Sequence, residues 1–228
     1  MPEMKQLYTD ILHYLDQSLA EDPVHEWILQ ETRRRGFPEI QITPLQGRLL
    51  RMLTQALGAR RVLEIGTLGG YSGVWIACGL PPEGKLITLD VNERHADLAR
   101  ESFRRAGVVD KVEMHVGPAL ETLATLTLDE PLDMAFIDAD KGNNRRYFDW
   151  AVEHMRPGGL VLVDNVLMNG RVLRADGSGT MHDIAAFNDY VMERFGEHAN
   201  VIPFFKATED NLDGMLMVRL PNGQAACA

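Results

Sequence analysis

Cysteine is scarce in this 228-residue sequence. Cys78 and Cys227 stand far apart, with no metal-ligand spacing and no disulfide framework. That usage fits a reducing compartment. Positive charge is also short. Lys and Arg number 23 against 33 Asp and Glu, a formal net charge of −10. The imbalance weighs against nucleic acid or an anionic membrane as the main partner. There is no long uncharged apolar run and no signal-peptide pattern at Met1, so a cytoplasmic protein with no membrane partner is expected. Internal repeats, low-complexity segments and linkers are missing too. One domain is therefore expected: N-terminal helices over 1–57, a core over 58–220 and a flexible tail over 221–228.

What is present centres on Arg61-Val62-Leu63-Glu64-Ile65-Gly66-Thr67-Leu68-Gly69-Gly70-Tyr71-Ser72. A short apolar run ends in an acid, a glycine-rich turn follows, and Val74-Trp75-Ile76-Ala77 continues it. This reads as strand, tight turn, helix, the place where an open parallel sheet binds ligands. Glycines there let the backbone approach a ligand, and a helix N-terminus offers free N–H groups. Gly66, Gly69, Gly70 and Gly73 do not have the Gly-x-Gly-x-x-Gly spacing of a dinucleotide site. A carboxylate at Glu64 would also sit poorly beside pyrophosphate and suits an ammonium or a sulfonium. The alternative is a solvated loop acid beside glycines that only turn the chain.

Along the chain, residues 4–20 place apolar side chains on a helical period. Asp22-Pro23 and Thr43-Pro44 each read as an N-cap followed by proline at the first helical position. They predict helices to about Arg35, stopped by Gly36, and to about Ala56. Alternation then begins, with strands over 62–65, 85–90, 111–116, 133–137 and 159–163, and helices over 72–78, 94–106, 118–126 and 144–155 between them. Such alternation predicts a parallel, doubly wound α/β sheet. A helix over 180–195 precedes two strands, 200–205 and 215–220. Asp213-Gly214 between them predicts a terminal hairpin, hence one antiparallel strand.

Acids recur at strand ends. Asp90 closes Leu86-Ile87-Thr88-Leu89, where a carboxylate can grip a ribose diol or help cap the next helix. Asp138, Asp140 and Lys141 close a later strand, too many charges to bury without partners. Asp164-Asn165 closes the strand after that. Two carboxylates and an amide oxygen in one crevice suit an octahedral divalent ion such as Mg²⁺, Mn²⁺ or Ca²⁺. The absence of His and Cys from the set argues against zinc. The bland reading of Asp164-Asn165 is a chain turn.

Four stretches together, Gln41 to Gly47, Val62 to Ser72, Phe136 to Lys141 and Val163 to Leu167, resemble the cation-dependent O-methyltransferases, a family that includes catechol and caffeoyl-CoA O-methyltransferases. The resemblance runs from about Leu7 to Leu220. It implies the class I S-adenosylmethionine-dependent (Rossmann-like) methyltransferase fold: a mostly parallel seven-stranded sheet with a final antiparallel strand and extra N-terminal helices. It implies S-adenosylmethionine as cofactor, held at its methionine end by Glu64 and the Gly66-Thr67 backbone, with Ser72 on the carboxylate. Asp90 would bind the ribose, Ala119 would lie by the adenine, Ile42 would line the pocket and Asp140 would lie beside the cofactor. Asp138, Asp164 and Asn165 match the family's metal ligands, Asp138 thereby serving catalysis, and Lys141 matches the general base. The metal would act as Lewis acid on two vicinal substrate oxygens. A homodimer is also implied.

Two positions depart from the pattern. Asn144 stands where the family often has tyrosine, and Met168 where many relatives have tryptophan. No long insertion or basic cluster suits a CoA phosphate, which favours a small free catechol. Arg33-Arg34-Arg35, with Arg145 and Arg146, keeps open a tRNA substrate, since some bacterial relatives methylate 5-hydroxyuridine. The bland reading of the arginine triplet is a helix C-terminus complementing the dipole. A non-catalytic S-adenosylmethionine-binding module is disfavoured by the intact acids and lysine, and a nicotinamide oxidoreductase by the glycine spacing.

Overall fold

The computed structural model describes residues 6, 7, 9–11, 14, 15, 22–174, 178–206 and 211–222. Residues 6, 7, 9–11, 14 and 15 are helical, as the apolar period predicts; the remainder of 4–20, and 223–228 of the expected flexible tail, lie outside the described residues. Helix α1 (Pro23–Arg34) starts at Asp22, whose carboxylate accepts from Val24 N at 2.9 Å. Helix α2 (Pro44–Ala56) opens on a full capping box: Thr43 Oγ1 accepts from Gln46 N, and Gln46 Oε1 accepts from Thr43 N. Gly36 follows α1 at φ 66°, the left-handed stop that its position predicts.

Strands and helices then alternate: β1 (Arg61–Ile65), α3 (Tyr71–Gly79), β2 (Lys85–Asp90), α4 (Glu93–Arg105), β3 (Val112–Val116), α5 (Ala119–Thr125), β4 (Leu132–Ile137), α6 (Asn144–Glu153) and β5 (Met155–Val163). Helix α7 (Thr180–Phe195), β6 (Ala199–Lys206) and β7 (Asn211–Arg219) complete the order. The seven strands form one sheet, β3-β2-β1-β4-β5-β7-β6, in which β7 runs antiparallel to both neighbours. The terminal hairpin is therefore present, but its turn is not where the sequence places it. Asp213 and Gly214 lie inside β7, opposite Phe204 and Pro203. Asp-Gly is a turn signal because the carboxylate serves the local backbone; here Asp213 Oδ1 is shared between Gly214 N and the distant Leu167 and Met168 N–H groups. Strand β5 also begins four residues earlier than the apolar run suggests, taking in Arg156-Pro157-Gly158.

Alternation along each strand sends side chains to two layers. Val62, Met134, Phe136, Leu160 and Leu162 pack with α1–α4 on one face; Leu63, Ile65, Ala135, Ile137, Val161 and Val163 pack with α5–α7 on the other. Glu64 shares the parity of Val62, so it points into the layer that holds α3. Helix α3 is buried from Tyr71 to Ala77, which explains its lack of an amphipathic pattern. Gly47 is the contact point of α2 with α3. A Cβ there would overlap the indole of Trp75, itself 3% exposed. Gly47→Ala should therefore destabilise the fold by about 1–3 kcal/mol through overpacking, read as a lowered urea midpoint with unchanged slope.

Candidate active site

A cleft of about 700 Å³ opens over the carboxyl ends of β1, β2 and β4, where such sheets bind ligands. Of the residues singled out from sequence, Ile42, Gly66, Thr67, Ser72, Asp90, Ala119, Asp138, Asp140, Lys141 and Asn165 line it. Glu64 and Asp164 do not; both are buried behind the wall, at 0% and 1% exposure.

One row of backbone hydrogen bonds positions these residues. Gly66 N donates to Leu89 O (2.9 Å), Asp138 N to Ile65 O (2.8 Å) and Asp164 N to Ile137 O (2.9 Å). Each strand end is thus tied to its neighbour one step past the sheet. Gly66 has φ 101°, and a Cβ there would overlap the Asp138 carbonyl. Only glycine permits that approach.

At the β1–β2 end, Glu64 Oε1 accepts from Ser72 Oγ (2.6 Å) and Oε2 from Thr88 Oγ1 (2.5 Å). Thr88 Oγ1 also meets Thr67 Oγ1 at 2.6 Å. Complete burial raises the Glu64 pKa from 4.5 to about 7, the two hydroxyls only partly offsetting it. Asp90 Oδ2 accepts from Leu68 N (2.7 Å) and Oδ1 from Asn92 N (2.8 Å), with His95 Nδ1 3.3 Å from Oδ1. The carboxylate is held rigid yet keeps acceptor capacity. Helix α4 has its own N-cap, Asn92, which accepts from Arg94 N. Ile42, Leu89, Ala119 and Leu120 make the cleft apolar between these groups.

At the β4–β5 end, Lys141 Nζ donates to Asp138 Oδ1 (2.8 Å) and to the Asp164 carbonyl (3.3 Å). Asp164 Oδ1 accepts from Gln46 Nε2 (2.8 Å), and Oδ2 from Asn165 Nδ2 (3.1 Å). The two acids and the amide that the sequence groups lie close together, but the ammonium meets only the Asp138 carboxylate and the Asp164 backbone carbonyl, while the Asp164 carboxylate meets Gln46 and Asn165. Among the described residues no three or more His, Cys, Asp or Glu side chains form a metal-holding group; this cluster has two carboxylates and an amide. Asp140 accepts from Tyr147 Oη (2.6 Å) and Asn143 Nδ2 (2.6 Å). Burial, and then the Asp140 carboxylate, push the Tyr147 phenol above its ordinary range.

Gln46 and Asp213 escaped the sequence reading. Thr43-x-x-Gln46 was a visible capping box, but nothing local says that Gln46 reaches a strand end 118 residues away. Asn144, the first departure, is 1% exposed, and its amide has no hydrogen-bond partner among the described residues. Met168 holds φ 48°. The arginines of the triplet are paired with carboxylates: Arg33 with Glu39, Arg34 with Glu31, and Arg35 with Glu31 and Glu101. Arg145 lies 3.7 Å from Asp149. Among the described residues no helix is long and apolar enough to cross a membrane.

An open seven-stranded sheet of this order, its penultimate position reversed and its cleft over β1 and β4, is the class I methyltransferase fold. The O-methyltransferase family matches residues 15–200. The chain belongs to that family, whose members are S-adenosylmethionine-dependent O-methyltransferases. It is 46% identical over 165 residues to a catechol O-methyltransferase of Mycobacterium tuberculosis, covering 72% of this chain and 74% of that one. A catechol O-methyltransferase of Niastella koreensis is 39% identical over 171 residues, 74% of this chain and 77% of that one. The O-methyltransferase from Bacillus cereus, solved in complex with SAH, superposes with a TM-score of 0.88 at 36% identity, covering 95% of this chain and 99% of that one.

The buried Glu64 generates a pH prediction. Its folded pKa of about 7 lies above the unfolded value near 4.5, so the native state holds a proton that the unfolded state has lost. The contribution is fully present below pH 4.5 and is lost as pH rises through about 7. Glu64→Gln should remove this loss. Its stability relative to wild type should rise between those pH values by roughly 1–3 kcal/mol, read from urea unfolding at a series of pH values.

Proposed function

We propose that this chain methylates one hydroxyl of a vicinal diphenol, with S-adenosylmethionine as methyl donor and a divalent cation, Mg²⁺ for preference, at Asp138, Asp164 and Asn165. The carrying observation is the Lys141 ammonium, in hydrogen-bond reach of both Asp138 Oδ1 and the Asp164 carbonyl. A carboxylate and a carbonyl that already hold a positive charge, with the Asp164 and Asn165 side chains next to them, suit a divalent ion. Such an ion, when bound, supplies Lewis acidity to two adjacent substrate oxygens.

The chain's own residues do the rest. Lys141, as an ammonium aimed by Asp138, offsets the phenolate charge; it can take the phenol proton only after giving up one of its own. Asp90 takes the ribose hydroxyls on its remaining lone pairs, and Ile42, Leu89 and Ala119 enclose the adenine. Gly66 and Thr67 offer backbone to the methionine end. Glu64 acts through Ser72. A protonated Glu64 can give its own O–H to the hydroxyl chain, which frees the Ser72 proton for the ligand's carboxylate. Asp140, fixed by Tyr147 and Asn143, borders the same cleft. Much of the rate gain comes from holding nucleophile and methyl at near-attack distance. The relatives named as catechol O-methyltransferases support the substrate class. The same reading carries one cytoplasmic domain and a homodimer, for which exposed Leu7, Ile11 and Tyr14 offer an apolar face.

The test is methyl transfer to caffeic acid with Mg²⁺ and with EDTA. Metal-dependent product is expected; none under either condition, with cofactor bound, would sink the reading. Asp138→Ala should abolish turnover and leave S-adenosylmethionine binding largely intact. Lys141→Ala should lower kcat by about 10²–10⁴-fold without changing cofactor affinity.

A further inference from the structure

Asp213 is a buried carboxylate that the chemistry above does not use, 5% exposed on β7. Its Oδ1 accepts from Leu167 N (3.1 Å), Met168 N (3.0 Å) and Gly214 N (2.8 Å). Its Oδ2 accepts from Asn165 Nδ2 (3.2 Å). These donors are all N–H groups of neutral amides. All of them but Gly214 lie on one strained segment, in which Asn165, Met168 and Asn169 hold φ of 61°, 48° and 59°. Asn169 Oδ1 in turn accepts from Leu212 N at 3.1 Å. The end of β5 is thus clamped onto β7.

The clamp decides which end of the Asn165 amide meets the cleft. Nδ2 can only donate and Oδ1 can only accept. Two carboxylates, Asp164 Oδ2 at 3.1 Å and Asp213 Oδ2 at 3.2 Å, draw Nδ2 to the protein side. Oδ1 is left for the cleft that Asn165 lines. The opposite orientation would set an oxygen against two carboxylates and present an NH2 to any cation.

We infer that Asp213 is a positioning residue that orients the Asn165 amide, presenting Oδ1 as a hard ligand to a divalent cation in the cleft. The inference rests on the divalent-cation reading above. Asp164 alone holds Nδ2 less firmly, because its carboxylate is shared with Gln46 and lies behind the cleft wall. Asp213 draws Nδ2 without competing for the ion.

The test is Mn²⁺ binding, followed by calorimetry and by the Mn²⁺ EPR signal, on the full chain saturated with SAH. Asp213→Asn leaves one oxygen for the Leu167 and Met168 N–H groups and turns an NH2 toward Asn165. Mn²⁺ affinity should fall by about 10–100-fold, with SAH affinity unchanged. Adding Asn165→Asp to that variant supplies a carboxylate that accepts from the new NH2 and still offers an oxygen to the ion. Mn²⁺ affinity should then recover most of the loss, and by more than Asn165→Asp raises it in the otherwise wild-type protein, where Asp213 repels the new carboxylate; a merely structural role predicts the same change in both backgrounds. Wild-type Mn²⁺ affinity in Asp213→Asn, or no recovery in the double variant, would overturn the inference. Should Asp213→Asn fail to fold, the wild-type protein decides by NMR. The Asn165 side-chain NH2 signal, identified by its loss in Asn165→Asp, should be protected from solvent exchange and stay so as Mg²⁺ is added. A freely exchanging NH2 would overturn the inference. Wild-type protein that binds no Mn²⁺ would overturn the divalent-cation reading itself, and this role with it.

Discussion

The site depends on the close approach of two strand ends. Gly66 and Asp138 touch backbone to backbone, and the Asp138 N–H reaches back to Ile65 O. The same step joins Gly66 to Leu89 and Asp164 to Ile137. Side chains that follow β1, β2, β4 and β5 are thereby held in register across the sheet. The β1–β2 side presents backbone, hydroxyls and Asp90. The β4–β5 side presents Asp138, Lys141 and Asn165. A ligand bound to one side faces the chemistry of the other, and sheet geometry sets that relation. Any residue larger than glycine at 66 would force the two sides apart.

The fold was legible because its signals are local. Strand and helix alternation, N-caps at Asp22 and Thr43, and the left-handed stop at Gly36 each follow from a few neighbouring residues. The strand-end acids were also legible, since charges closing apolar runs must find a purpose. What stayed hidden was side-chain direction. Glu64 was read as facing a cationic ligand, yet strand parity sends it under α3 to Ser72 and Thr88. Asp164 was read as lining a crevice, and it lies behind the wall with Gln46. Both acids are adjacent to the cleft, not in it. Sequence can mark where a strand ends, but not how far past the sheet a side chain reaches.

Asp213 shows the complementary error. Asp-Gly reads as a turn because aspartate commonly serves its own backbone there. In this chain the carboxylate serves Leu167 and Met168, more than forty residues back. The glycine has its own reason: a Cβ at Gly214 would crowd Leu167 and Val201. The dipeptide is thus a packing and clamping device inside a strand. A local rule failed where a long-range demand was stronger, and the segment it serves carries Asn165 and Met168.

The departures at Asn144 and Met168 lie on different supports. Asn144 is buried at the start of α6, the helix that also carries Tyr147, which fixes Asp140. Met168 stands in the clamped stretch after β5, its N–H held by Asp213 and its backbone left-handed. Its flexible thioether replaces a rigid indole on a backbone that cannot easily shift. A methionine side chain adapts to what packs on it, whereas the backbone that carries it is held by Asp213. A soft side chain thus stands on a fixed backbone, next to strand ends that backbone hydrogen bonds hold in register.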